Sequence, residues 1–285
     1  MSSVRRSRAA AELSVPPPPV TAATQVVVLL GHPVAHSWSP QLHNAAFAAV
    51  GFDAVYVALD VAPDAVEAAV AGIAALGLLG ANVTVPHKRA VFAAVPRRTA
   101  AAQACGAANT LYWDSGALVA DNTDVEGLRG VLADDLGLTQ GEDVVLFGTG
   151  GAARAAAVAL GQIGARVEVV GRREAAVSEI EVVAREAGAT TARVDHPRVV
   201  INATPLGMRG ESLPERFMRL EPGQAALDLV YGANETPFVR AARARGARAA
   251  DGRGMLLGQA AAAFARWTGV PAPRRVMADR LESLR

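Results

Sequence analysis

A lysine at a predicted strand-to-helix junction is the residue of this sequence that most suggests proton-transfer chemistry. Residues 82–88 read Asn-Val-Thr-Val-Pro-His-Lys, with a buried strand predicted to end at Thr84 and Pro86 suited to the first position of the next helix. Lys88 then lies in the first helical turn, where the helix dipole and the adjacent Arg89 disfavour an ammonium. A lysine disposed to exchange its proton there suits proton transfer with an alcohol oxygen near neutral pH. A solvated surface lysine is the simpler interpretation of this segment taken alone.

Two serines precede a second predicted helix. Ser39 and Pro40 are typical of an N-cap followed by the first helical residue. Ser37 is two residues earlier, so in an extended segment both hydroxyls point the same way. Two hydroxyls beside a helix N-terminus can hold a carboxylate. The alternative is that Ser39 only caps its helix.

Polar residues also follow the last strand predicted in the first half of the chain. Residues 121–124 read Asp-Asn-Thr-Asp and precede a predicted helix, so Thr123 or Asp124 is by default its N-cap. An aspartate at the carboxyl end of a sheet also lines the ligand crevice of open α/β folds. Asn109, at the start of an earlier predicted strand, can serve a turn as readily as a ligand hydroxyl.

A glycine-rich loop in the second half has the pattern of a dinucleotide-binding fingerprint. It joins a strand at 143–147 to an Ala-rich helix predicted to run to about Ile163, and a further strand is predicted at 166–170. In such loops the glycines allow a tight turn and close approach of the backbone to a pyrophosphate at the helix N-terminus. The loop residues are Gly148, Thr149, Gly150, Gly151, Ala152 and Ala153.

The residues after that further strand predict the cofactor. An NAD-binding unit normally has an acid at the end of its second strand, about 20 residues after the glycine loop. Here that position is Gly171, followed by Arg172 and Arg173, whose guanidinium groups suit the 2′-phosphate of NADP. Glu174 is predicted in the first turn of the next helix, where an acid is favourable for structural reasons. A solvated strand end is the alternative interpretation of the two arginines.

The elements that must position these residues alternate along the chain. Strands are predicted at 25–30, 54–59, 79–84, 108–112, 116–121, 198–202 and 225–229, besides the two named above. Helices are predicted near 40–50, 63–76 and 125–136, and a turn at 114–116. Short apolar runs alternating with Ala-rich helices are typical of an α/β fold with parallel sheets and crossover helices.

Composition limits the classes of function. The 285 residues are 51% hydrophobic and carry a formal net charge of +1, which gives no electrostatic case for nucleic acid binding. No uninterrupted apolar run reaches membrane-spanning length, and the five histidines are too scattered to favour a zinc site. The single cysteine, Cys105, indicates a reducing cytoplasm. Residues 1–24, with three arginines and four consecutive prolines, are predicted to be a disordered tail rather than a transit peptide.

Together the motifs resemble the shikimate dehydrogenase family. The matching segments, in the family's order, are 31–44, 82–88, 107–110, 121–124, 148–153, 202–208, 228–231 and 254–260. The resemblance implies reversible NADPH-dependent reduction of 3-dehydroshikimate to shikimate in the pathway to aromatic amino acids. It also implies a discontinuous substrate domain, residues 25–123 plus 253–285, and a Rossmann-type NADP domain at 124–252. The enzyme would be a monomer or homodimer.

The resemblance also implies roles for individual residues. Lys88 and Asp124 would form the catalytic pair. The substrate would be bound at its carboxylate by Ser37 and Ser39 with Tyr231 nearby, and at its ring hydroxyls by Thr84, Asn109, Asp124 and Gln259. Besides the glycine loop, the cofactor would contact Arg172, Arg173, Asn202, Thr204, Met208 and Gly254.

Two other functions stay open at this point. One is a quinate/shikimate dehydrogenase that uses NAD, because the motifs do not decide how strictly the extra hydroxyl of quinate is excluded. The other is a catalytically silent homologue that senses a ligand. The presence of both Lys88 and Asp124 argues against the silent homologue, since a pure binding protein has no evident use for such a pair.

Overall fold

The computed structural model describes residues 19–284, which form two six-stranded sheets with helices packed on them. Of the tail predicted at 1–24, only residues 19–24 are within the described part, and a turn closed by Thr24 N–H donating to the Thr21 carbonyl leads into the first strand. No helix within 19–284 is long and apolar enough to span a membrane.

The first sheet is mixed. Its strands are β1 (Gln25–Gly31), β2 (Ala54–Asp60), β3 (Gly80–Val83), β4 (Arg97–Arg98), β5 (Thr110–Asp114) and β6 (Ala117–Asp121). The spatial order is β2-β1-β3-β5-β6-β4, and β5 runs antiparallel to both of its neighbours. The hairpin between β5 and β6 turns at Ser115 and Gly116, both with positive φ, as the predicted turn at 114–116 requires.

The second sheet is parallel throughout. Its strands are β7 (Asp143–Phe147), β8 (Arg166–Val170), β9 (Thr190–Thr191), β10 (Val199–Asn202), β11 (Ala225–Asp228) and β12 (Arg248–Ala250). The order is β12-β11-β10-β7-β8-β9, with β7 and β10 adjacent at the centre. This is the doubly wound topology of a Rossmann-type domain, which confirms the predicted fold class.

Eleven α-helices of the described residues cover these sheets. They are α1 (Ser39–Val50), α2 (Val66–Ala75), α3 (Lys88–Ala94), α4 (Ala100–Cys105), α5 (Asp124–Gly130), α6 (Gly151–Ile163), α7 (Glu174–Glu186), α8 (Glu215–Met218), α9 (Pro237–Ala244), α10 (Gly252–Thr268) and α11 (Arg274–Glu282). A 3-10 turn at Pro63–Ala65 precedes α2, and a π-helical turn at Val131–Asp135 follows α5.

Both faces of each sheet are buried, as the apolar strands predict. In β1, Val27 and Leu29 pack in one cluster with α1, α10 and α11, whereas Val28 and Leu30 pack in another beneath α2 and α3. This division follows the two-residue alternation of side chains along a strand. The second sheet likewise packs against α5, α6 and α7 on one face and against α8 and α9 on the other.

Two glycines allow α5 and α10 to cross in close contact. A Cβ on Gly127 would lie 2.7 Å from the carbonyl oxygen of Met255, and one on Gly258 would lie 2.7 Å from the Cα of Gly127. Helix α10 also packs in the core of the first sheet through Phe264 and Trp267. The crossing therefore brings the start of α5 to the middle of α10, although the two are far apart in sequence.

Two predicted helix starts are corrected by the structure. Ser39 is the first residue of α1 and Trp38 its N-cap, while the hydroxyl of Ser37 accepts a hydrogen bond from the Ser39 N–H at 3.2 Å. The hydroxyl of Ser37 therefore accepts from the first N–H of α1, and Ser39 is not the capping residue. Pro86 is not helical: it lies in a turn closed by the His87 N–H donating to the Thr84 carbonyl, and α3 begins two residues later.

Candidate active site

A cavity of about 160 Å³ opens between the two sheets, at the carboxyl ends of strands of each. It has the scale of a small metabolite, and its position matches the ligand crevice of open α/β folds. Its walls contain every residue predicted for catalysis or substrate binding, namely Ser37, Ser39, Thr84, Lys88, Asn109, Asp124, Tyr231 and Gln259.

Lys88 and Asp124 form an ion pair in this cavity. The Nζ of Lys88 donates to Oδ2 of Asp124, and the side chains are only 13% and 5% exposed. Asn109 holds the other carboxylate oxygen, since its Nδ2 donates to Oδ1 of Asp124 at 2.8 Å. Burial makes a charge pair costly, and further hydrogen bonds to the charged groups offset part of that cost. The amide of Asn109 therefore fixes the aspartate, and the aspartate fixes the lysine.

A buried polar network continues behind this pair. Asn109 Oδ1 accepts from the Thr123 N–H at 2.8 Å and from the hydroxyl of Thr110 at 3.0 Å. Asn82 donates through Nδ2 to the Asn109 carbonyl and to the Thr110 hydroxyl, and accepts from the hydroxyl of Tyr56 at 2.9 Å. Asn82, Thr110, Thr123 and Tyr56 were missed as site residues by sequence reasoning. For Asn82 the sequence did contain a signal, because a polar residue inside a short buried strand must find hydrogen-bond partners there.

The serines and Tyr231 line another part of the cavity. Ser39 is 6% exposed and Ser37 is half-buried. Burial raises the pKa of Tyr231, and hydrogen bonds with the Ser37 side chain and the Trp38 backbone act in the opposite direction. The indole of Trp38 packs on the Tyr231 ring with centroids 5.2 Å apart. Three hydroxyls, two from the first half of the chain and one from the second, thus line the same part of the cavity.

Thr84 and Gln259 are positioned by close backbone packing. A Cβ on Gly31 would overlap Cγ2 of Thr84, so the absence of a side chain at the end of β1 makes room for the threonine. Gln259 is 8% exposed and its Nε2 donates to the Leu256 carbonyl at 3.1 Å. Thr84 therefore depends on Gly31, and Gln259 depends on the crossing of α5 and α10 at Gly127 and Gly258.

The glycine loop lies directly against the lysine. It connects β7 to α6 as predicted, and a Cβ on Gly151 would lie 3.3 Å from Cδ of Lys88. Gly148 has a φ of 132° and a Cβ there would lie 2.6 Å from the Ala203 carbonyl oxygen, so this position requires glycine. Nothing lies within 4 Å of a Cβ built on Gly150. The backbone of the loop and the N-terminus of α6 are therefore accessible to a phosphate group.

The residues predicted to select the cofactor lie at the edge of this loop. Gly171 directly follows β8, Arg172 and Arg173 are exposed, and Glu174 is the first residue of α7. The positions assumed from the sequence are therefore confirmed, including the acid in the first helical turn.

Asn202 and Thr204 have partners within the protein. The Asn202 amide donates to the Leu206 carbonyl at 2.9 Å and to Oδ1 of Asp228 at 2.8 Å, and its oxygen accepts from the Thr204 N–H at 3.0 Å. Burial raises the pKa of Asp228, opposed by its bonds to Thr236, to the Val230 backbone and to Asn202. These contacts shape the loop after β10.

Gly254 and Met208 do not line the cavity. A Cβ on Gly254 would point towards Val131 at 2.9 Å, and the glycine of α10 that lines the cavity is Gly252. Met208 is 55% exposed in the turn after β10. Their predicted contacts with the cofactor stay predictions.

No group of three or more His, Cys, Asp or Glu side chains within residues 19–284 could hold a metal ion.

Fold and site together define a class: an α/β enzyme whose Rossmann-type glycine loop opens onto a small polar cavity with a buried lysine–aspartate pair. Two family models match the sequence. The Shikimate dehydrogenase substrate binding domain matches residues 29–111, and the Shikimate 5'-dehydrogenase C-terminal domain matches residues 252–282.

Relatives and solved structures agree with these matches over nearly the whole chain. Shikimate dehydrogenase (NADP(+)) of Anaeromyxobacter dehalogenans is 43% identical over 275 residues, which cover 93% of this chain and 98% of the relative. Shikimate 5-dehydrogenase of Thermus thermophilus, solved with NADP(H) and shikimate, is 31% identical with a TM-score of 0.81, covering 92% and 100% of the two chains. The Listeria monocytogenes enzyme, solved with shikimate and NAD, is 29% identical with a TM-score of 0.81, covering 92% and 98%. The chain belongs to the shikimate dehydrogenase family, as its motifs predict.

Proposed function

We propose that this protein catalyses the reversible NADPH-dependent reduction of 3-dehydroshikimate to shikimate, in the pathway to aromatic amino acids. The observation that carries the proposal is the contact between the glycine loop and the buried Lys88–Asp124 pair. A dehydrogenase needs its cofactor and its proton donor on either side of one small substrate, and this cavity offers both. The near full-length similarity to NADP-dependent shikimate dehydrogenases supports the same function.

Lys88 and Asp124 are proposed as the catalytic pair. NADPH, when bound, supplies the hydride to the substrate carbonyl carbon. Lys88 gives a proton to the oxygen on which negative charge develops, and takes one from the hydroxyl in the reverse direction. Asp124, itself held by Asn109, keeps Nζ of the lysine in position through the transfer.

The substrate contacts are proposed from the lining of the cavity. Ser37 and Ser39, with Tyr231 beside them, bind the carboxylate through their hydroxyls. The ring hydroxyls are bound by the polar groups on the remaining walls, which are Thr84, Asn109, Asp124 and Gln259.

The glycine loop is suited to the cofactor. Residues 148–153 can take the pyrophosphate on the exposed backbone at the start of α6. Arg172 and Arg173 are proposed to bind the 2′-phosphate, which selects NADP. Asn202 and Thr204 would act by shaping the neighbouring loop, to which Met208 belongs.

The domain assignment follows the two sheets. We propose a substrate domain of residues 25–123 plus 253–285 and an NADP domain of 124–252. All strands of the first sheet fall in the former, together with α11 and most of α10, and the second sheet falls in the latter. A cytoplasmic location is proposed because the sequence has a single cysteine, Cys105, which can form no internal disulfide. The assembly is proposed to be a monomer or homodimer.

The alternative within the same chemistry is an NAD-dependent quinate/shikimate dehydrogenase. Steady-state oxidation of shikimate and of quinate, each with NADP and with NAD, separates the possibilities. The proposal predicts the highest kcat/KM for shikimate with NADP. A preference for NAD or for quinate would favour the alternative, and no turnover with any pair would favour a catalytically silent binding protein.

A further inference from the structure

The end of β8 is in direct contact with the glycine loop. A Cβ built on Gly171 would lie 2.7 Å from Cγ2 of Thr149 and 3.1 Å from Cγ2 of Val177. A separation of 2.7 Å is well inside ordinary carbon–carbon contact, so a side chain at 171 would have to displace the threonine methyl. Threonine is β-branched, and its methyl moves only through a change of χ1 rotamer.

Position 171 requires glycine because of this close contact, and not because of its backbone conformation. Gly171 is absent from the positive-φ glycines of the described residues, so an L-residue could adopt its conformation. The space beside Thr149 therefore decides which residue can follow β8. An aspartate or glutamate, which an NAD-binding unit would have at this position, meets the Thr149 methyl before it reaches the ribose.

We propose that Thr149 is a cofactor-specificity residue. Its methyl group fills the space at the end of β8 that an NAD-binding acid would need, and so leaves the ribose 2′ position to Arg172 and Arg173. This inference rests on the proposed use of NADP at the same site. It assigns the absence of an NAD-binding acid after β8 to the second residue of the glycine loop, and the recognition of NADP to the arginines.

The test pairs two replacements of Thr149 that differ in the methyl. Thr149→Ser removes the methyl and keeps the hydroxyl, whereas Thr149→Val keeps a methyl in its place and removes the hydroxyl. Each is combined with Gly171→Asp, and the single Gly171→Asp variant and the wild type complete the set. Val177 is unchanged throughout, so its contact is the same in every variant carrying the aspartate.

Binding of NADP and NAD is measured by isothermal titration calorimetry, which needs no turnover. Gly171→Asp with Thr149→Ser should bind NAD at least about 10-fold more tightly than Gly171→Asp with Thr149→Val, and its NADP preference should fall at least about 100-fold from wild type. Equal NAD affinities in the two double variants, or a wild-type preference for NAD, would overturn the inference. Wild-type binding selective for NADP without shikimate turnover would refute the proposed function alone and leave this inference standing.

A smaller substitution keeps the test decisive if the aspartate prevents folding. Gly171→Ala adds only the Cβ, so it should lower the thermal unfolding midpoint by a few degrees through overpacking. Thr149→Ser should restore most of that loss and Thr149→Val should not. Equal midpoints for the two double variants would contradict the proposed contact.

Discussion

The buried imidazole of His43 gives the protein a predicted loss of stability in mild acid. The ring is fully buried, stacked on Tyr56 with centroids 4.6 Å apart and packed against Trp267 at 5.1 Å. Neither ring nitrogen has a hydrogen-bond partner among the described residues. Burial without a partner disfavours the charged form, and the pKa of His43 falls from 6.5 to about 3.

The sign of the effect follows from the two protonation states. Between pH 6.5 and about 3 the unfolded chain binds a proton at His43 that the folded chain does not. The histidine's contribution to stability is therefore complete above pH 6.5 and is lost progressively as the pH falls. At about pH 5, roughly 1.5 units below the unfolded pKa, the loss is about 2 kcal/mol.

Urea unfolding at pH 7 and pH 5 measures this loss. His43→Phe keeps an aromatic ring but cannot be protonated, so its free energy of unfolding should fall by about 2 kcal/mol less than that of wild type between the two pH values. His196→Gln removes an exposed histidine and serves as the matched control, which should behave as wild type. The same pH dependence in wild type and His43→Phe would refute the argument, because it would mean that the folded protein accepts the proton at no cost.

Three further variants test the assignments in the site. Replacing Ser37 and Ser39 with Ala should raise the KM for shikimate roughly 10- to 100-fold but matter less for an analogue without the carboxylate, and equal losses for both compounds would assign the serines to the local fold. Replacing Arg172 and Arg173 with Ala should reduce NADP affinity roughly 10- to 100-fold with NAD turnover nearly intact; an unchanged preference would contradict their role. Asn109→Ala should lower kcat more than about tenfold, since Asp124, the proposed catalytic carboxylate, loses a hydrogen bond, and wild-type kcat would show that this bond does not matter.

The features predictable from sequence were those with a local signal. Strands such as β1 and β7, the glycine loop and the position of Glu174 in its helix were all predicted at or near their observed bounds. Strands β4 and β9 are two residues each, too short to carry an alternating pattern. The starts of α1 and α3 were predicted within two residues. Neither N-cap residue, Trp38 or His87, makes a side-chain capping hydrogen bond, so the local capping pattern in the sequence does not set these starts.

The site depended on contacts between residues far apart in the sequence. Gln259 reaches the cavity because Gly127 and Gly258 let their helices cross in contact, and neither glycine reveals its partner in the sequence. The same holds for Thr149 and Gly171, which are ordinary residues until their separation is known. Asn202 is a different case, because its side chain has hydrogen-bond partners within the protein and its predicted contact with the cofactor stays a prediction.

The catalytic role of Lys88 is the central claim, and one kinetic comparison tests it directly. Shikimate oxidation with NADP is measured for wild type, Lys88→Ala and, as a control, Arg89→Ala, whose exposed side chain lies one residue away. Lys88→Ala should lower kcat roughly 10²- to 10⁴-fold, the range for a positioned general acid or base, with a much smaller change in KM, while Arg89→Ala stays near wild type. A Lys88→Ala variant that retains near wild-type kcat would contradict the account.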